Sequence, residues 1–166
     1  MKKLMLMVVM LVLPDLAIAG LDSFELADKT TVIESVTGMP GYDKGQIYTG
    51  TKTWIAETFW SAKAVIENDD KEAGTIIGNA SVEFPCVGNI FTCAGKSDKR
   101  LQFTMRVDMK DQKFKITLSN MSSFYPTGEN MGLWKNDIDE SARPALAKLS
   151  ESLRYAIENE KTKTNW

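Results

Sequence analysis

Histidine is absent from all 166 residues, and that absence removes more chemistry than any other feature of the chain. It takes away the usual general base at neutral pH and the commonest transition-metal ligand. Ser-His-Asp, Cys-His and His-based zinc sites are therefore excluded within this chain. Cysteine is nearly absent too, with only Cys86 and Cys93. Neither sign of charge dominates, since 20 Lys and Arg stand against 22 Asp and Glu. Such a balance gives no electrostatic pull toward nucleic acid or an anionic membrane. After the N-terminus, no apolar run approaches membrane length.

What is present begins with a leader. Lys2 and Lys3 precede an unbroken apolar run at residues 4–13, which Pro14 and Asp15 interrupt. Ala17 and Ala19 then offer small residues before Gly20. This is the pattern of a secretory signal peptide cleaved between Ala19 and Gly20, with an apolar core too short to remain as a membrane span. No cysteine follows the cut, so no lipid anchor is expected there. The expected location is periplasmic or secreted, with no membrane anchor after cleavage. Residues 20–166 are 147 in number (166 less 19), enough for one domain with a real core. Dropping Lys2, Lys3 and Asp15 leaves a net charge of −3.

In an oxidising compartment Cys86 and Cys93 are expected to form a disulfide. Closing so short a loop contributes roughly 2.5 kcal/mol by chain entropy. Metal ligation would need two further soft partners, so neither a metal nor a cofactor is expected.

Residues 20–30 read as a lead-in, and the β-branched stretch 31–36 as a first strand. Ile47, Trp54, Ile55 and Phe59 share a helical face across 43–59, with Asp43 suited to the helix start. A second strand is expected at 63–67, followed by a polar turn over 68–74. The third strand, 75–84, places Ile76, Gly78, Ala80, Val82 and Phe84 on one face. In the fourth, Leu101, Phe103, Met105, Val107 and Met109 alternate with Gln102, Thr104, Arg106, Asp108 and Lys110. The fifth sets Phe114, Ile116 and Leu118 against Lys115, Thr117 and Ser119. One buried and one wet face mark an antiparallel sheet covered on one side.

A tight turn at Asp111-Gln112 pairs Met109 with Phe114, Val107 with Ile116 and Met105 with Leu118. It also sets Asp108 opposite Lys115 on the wet face. Placing Cys86 opposite Cys93 and continuing that ladder sets Ile76 opposite Phe103 and Gly78 opposite Leu101. Residues 121–137 read as a long connection carrying Phe124, Tyr125 and Trp134. A last helix, capped by Asp139 or Ser141 with Pro144 in its first turn, presents Ala142, Leu146, Leu149, Leu153, Ala156 and Ile157. The tail 161–166 is polar. The expected architecture is α+β: a five-stranded antiparallel sheet with two helices packed on one face, a single domain over 31–160.

These residues resemble a bacterial exported domain of unknown function with a TBP-like fold (strand, helix, four strands, helix). The resemblance lies in Ile47-Tyr48, Trp54-Ile55 and Phe59 of the first helix. It continues in the run Asp70-Lys71-Glu72-Ala73-Gly74-Thr75-Ile76-Ile77-Gly78 and the alternating strand 101–109, covering about 31–158. The cysteine pair lies outside the family pattern. The resemblance implies fold and export, and it carries neither an activity nor DNA binding.

No catalytic or cofactor-binding residue stands out. The Asn68-Asp69-Asp70-Lys71-Glu72 turn lacks calcium-loop spacing and holds Lys71 among its carboxylates. The expected function is a non-catalytic binding module whose partner is a protein or an envelope ligand, not nucleic acid. Contact is expected through the open sheet face or through Phe124, Tyr125 and Trp134. The alternatives are a histidine-free envelope hydrolase and a structural envelope component that oligomerises.

Overall fold

The computed structural model describes residues 26–59, 65–84, 99–125, 127 and 130–163. The leader with Ala19 and Gly20, and the pair Cys86 and Cys93, lie outside the described residues.

Strand β1 (Ile33–Gly38) leads through a turn into helix α1 (Lys44–Thr58). Four strands follow: β2 (Val65–Asp70), β3 (Thr75–Glu83), β4 (Arg100–Lys110) and β5 (Lys113–Phe124). A two-residue strand β6 (Asn130–Met131) returns beside the end of β5. A short helical turn (Lys135–Asp137) and a wide π-helical segment (Ile138–Ala142) then open into helix α2 (Arg143–Lys163). The sheet runs β1-β5-β4-β3-β2, all antiparallel, with β6 also on β5. This is the expected α+β architecture of five main strands and two helices.

One-sidedness follows from the alternation. Leu101, Phe103, Met105, Val107 and Met109 of β4 are all buried, as are Phe114, Ile116 and Leu118 of β5. They meet Ile47, Trp54 and Ile55 of α1 and Leu146, Leu149, Leu153 and Ile157 of α2 in a single core. The Phe59 and Trp54 rings meet edge to face, 5.4 Å apart between centroids. The helices approach so closely that a Cβ on Gly50 would lie 2.9 Å from Cγ1 of Ile157. Gly50, a poor helix former, is therefore required by the packing of α1 on α2.

Helix α1 starts where a capping box can form. The Asp43 carboxylate accepts the Gln46 N–H at 2.8 Å, while the Gln46 side chain accepts the Asp43 N–H at 3.1 Å. Asp43 is thus the N-cap rather than a first-turn residue. The same end of the helix is stitched to two hairpins. Lys44 donates its backbone N–H to Asp111 at 2.8 Å and its Nζ to the Glu72 carbonyl at 2.7 Å.

The β2–β3 turn comprises only residues 71–74, because Asn68, Asp69 and Asp70 belong to β2, after a bulge at Glu67. The expected polar turn over 68–74 is corrected accordingly. Asp69 faces the helices, where its carboxylate accepts from the Tyr48 hydroxyl and from Lys52 Nζ. Gly74 closes the turn with φ +69°, and a Cβ there would sit 2.6 Å from the Met109 carbonyl. Gly74→Ala combines a left-handed backbone with that clash, for an expected loss of about 2–5 kcal/mol. Urea denaturation checks it; a loss below about 1 kcal/mol would mean that the turn is free to reshape.

Three further expectations are corrected. The β4–β5 register matches the turn at Asp111-Gln112, but β3 pairs Ile76 with Val107 and Gly78 with Met105. The ladder built from the cysteines is four residues out, although its buried face is right. The expected long connection over 121–137 is shorter: β5 runs to Phe124, Asn130–Met131 return as β6, and Lys135–Asp137 are already helical. Ser141 does not cap a helix at the surface, since it is fully buried in the π-helical segment.

Candidate functional site

Helices cover one face of the sheet, so the other presents the even residues of β4 and their cross-strand partners. Toward the Asp111-Gln112 turn this open face is a closed charge ladder. Lys115 pairs with Glu34 at 2.8 Å, and Thr117 donates to the same carboxylate at 3.0 Å. Arg106 pairs with Asp108 at 2.8 Å, which also accepts from Thr75. The Lys115 hydrogen bond, with Thr117, holds the Glu34 carboxyl below its ordinary pKa. For Asp108, partial burial pushes upward, but Arg106, Thr75 and Lys115 together pull the carboxyl down.

The opposite half of the face is different. There Asn79, Arg100, Gln102, Thr104, Asn120 and Ser122 surround a groove of about 730 Å³. Its shape comes from a bulge in β5. Thr104 pairs with Ser119, whereas Gln102 pairs with Ser122, so β5 carries one extra residue between them. Asn120 takes up that residue with φ +50°, a conformation asparagine tolerates well. The bulge also reverses the parity of β5, turning Ser122 and Phe124 outward.

Hydrogen bonds fix the rim. Thr104 donates to Asn79 at 2.8 Å and accepts from Asn120 at 3.3 Å. Asn79 in turn donates to Glu67 at 2.6 Å, the bulged residue of β2. Arg100 reaches the Ser81 hydroxyl and carbonyl, both at 3.3 Å. In the middle, Gln102 and Ser122 stand directly opposite one another, and no hydrogen bond engages either side chain among the described residues. Phe124, opposite Arg100, lines the end.

Of the three aromatic residues expected at a contact, Phe124 is on this groove. Tyr125 is half-buried just beyond the strand. Trp134 is elsewhere, bridged to Leu26 and preceding the helical turn. The amide-lined groove itself had no sequence signal, because the bulge that creates it lies in a polar run without parity. A buried ion pair was equally hidden: Lys99 Nζ lies 3.5 Å from Asp137 and 4.2 Å above the Phe84 ring.

No group of three or more potential metal ligands exists among the described residues. No helix among them is long and apolar enough to cross a membrane. Among the described residues, the carboxyl groups whose pKa moves, Asp28, Glu34, Asp69 and Asp108, are all pulled down. That is the opposite of what a general acid requires.

A family model described as "Domain of unknown function (DUF4468) with TBP-like fold" matches residues 34–123, from β1 to the end of β5. Among solved structures, a DUF4468 family protein from Bacteroides ovatus is similar with a TM-score of 0.50 and 20% identity, over 81% of this chain and 83% of that one. A TBP-like protein from Parabacteroides distasonis gives a TM-score of 0.50 and 14% identity, over 86% and 94%. At such identities the likeness is one of fold. Nothing among curated proteins matches the chain.

Proposed function

Because the chain belongs to the DUF4468 family with its TBP-like fold, a membership that carries geometry and no reaction, we propose that it is an exported, non-catalytic binding module. Its working form starts at Gly20 with Cys86 and Cys93 bridged, and it takes a ligand or partner of the cell envelope on the open sheet face. The observation that carries this reading is the Gln102–Ser122 pair, unengaged at the centre of a rim whose other polar groups are hydrogen-bonded in place. Fixed polar groups around a vacant concave centre are what orient a ligand at low entropic cost. The aromatic contribution comes from Phe124, which lines the groove, more than from Trp134. A hydrolase is the weaker reading, since the carboxylates with altered acidity are all stabilised in their charged form.

Blocking the groove tests the proposal. The double variant Gln102→Lys with Ser122→Glu places opposite charges across a directly paired position, which supports the sheet while filling the groove. Its melting temperature should stay near that of the unaltered protein. Retention of immobilised envelope material by the exported protein should be lost. A folded double variant that retains the same material would place the binding surface elsewhere.

A further inference from the structure

We propose, building on the groove reading above, that the ligand is a neutral, polyhydroxylated chain: an oligosaccharide lying across β3, β4 and β5. The inference comes from the kind of polar group the groove offers. At the centre Gln102 presents an unengaged carbonyl acceptor and amide donor and Ser122 an unengaged hydroxyl, while Asn120, whose amide donates to Thr104, keeps its carbonyl as an acceptor at the rim. A sugar hydroxyl is likewise donor and acceptor at once, so such an array satisfies it in either sense. Among the described residues Arg100 is the one cation lining the groove, and its guanidinium is directed to Ser81.

Other ligand classes fit less well. A cationic chain would find no opposite charge in the groove, and a repeatedly anionic one only the single Arg100, so neither recovers the hydration it loses. A nucleic acid needs a basic surplus and successive stacking platforms, and of the two phenylalanines at the groove Phe103 is buried on the core side, which leaves Phe124. A peptide draws its affinity from side-chain anchors buried in pockets, and between Phe124 and the far rim the groove floor offers none. The single ring suits a sugar, because the electron-rich face of Phe124 meets the polarised C–H groups of a pyranose. Two strand spacings, about 9.5 Å, separate β3 from β5, which gives room for a disaccharide-length stretch of a longer chain.

The exported protein is titrated with neutral hexasaccharides of glucose, mannose, galactose and N-acetylglucosamine. A uronic-acid hexasaccharide and a pool of random decapeptides serve as comparators. At least one neutral chain should bind with Kd of about 1 mM or tighter. Gln102→Ala and Phe124→Ala should each weaken it at least about tenfold with unchanged melting temperature, while Trp134→Phe leaves it within about twofold. Absence of binding by every neutral chain overturns the assignment, as does preference for the uronic-acid chain. Binding of decapeptides alone, lost on Gln102→Ala, overturns the sugar and leaves the groove standing. Neutral-chain binding that survives both substitutions overturns the groove as well.

Discussion

Met105→Asp should unfold the domain, while Arg106→Ser, one residue further along, should leave it folded. Met105 is 3% exposed and paired between Gly78 of β3 and Leu118 of β5, beneath the helices. The substitution removes a buried thioether side chain, a change that costs about 2–5 kcal/mol when a buried Met becomes Ala. It also strands a carboxylate among apolar groups, which adds several kcal/mol more even if the acid takes up a proton. A total of at least about 5 kcal/mol reaches the stability of a typical domain. Arg106 points the other way, and half of its side chain is exposed beside Asp108. Its loss removes one surface ion pair and leaves Asp108 with its hydrogen bond from Thr75, for a cost within about 1 kcal/mol. Circular dichroism and urea denaturation of the two variants check the pair. Equal losses would mean that the sheet is not one-sided.

Asp137→Leu should be the most damaging charge removal. Lys99 and Asp137 are each about 7% exposed at the side chain, 3.5 Å apart, with the ammonium also over the Phe84 ring. Removing one partner of such a pair leaves an uncompensated buried charge, which costs about 3–5 kcal/mol. The pair ties the start of β4 to the turn before α2, so part of the loss is also the Trp134 N–H that Asp137 accepts at 3.4 Å. Adding Lys99→Met to Asp137→Leu should recover most of the stability, because two apolar groups of similar size replace two charges. A double variant no better than Asp137→Leu alone would show that the carboxylate acts mainly as a backbone cap.

These two cases also show where the sequence is legible. Strict alternation through residues 101–109 and 114–118 fixes which face is buried, and the two-residue turn at Asp111-Gln112 fixes the register between β4 and β5. The apolar stripe of α2 is equally plain. The β3–β4 register anchored on Cys86 opposite Cys93 is four residues out. A shift of four residues preserves parity, so alternation alone cannot detect it. The groove was invisible for a related reason. In Ser119-Asn120-Met121-Ser122, no apolar period marks the extra residue, and parity reverses there without a signal. Read without that bulge, Phe124 looks like the start of a loop; with it, Phe124 is an outward-facing strand residue. Lys99 and Asp137 belong to polar stretches separated by the whole β4–β5 hairpin, and only the fold brings them together.

The ligand is expected on the open sheet face around the β5 bulge. Amide chemical-shift mapping of the exported protein, with soluble envelope carbohydrate added stepwise, tests it most directly. Saturable shifts are expected at Asn79, Ser81, Gln102, Thr104, Asn120, Ser122 and Phe124, with the amides of α1 and α2 unmoved. Saturable shifts centred on the two helices, with the bulge and its neighbours unchanged, would contradict it.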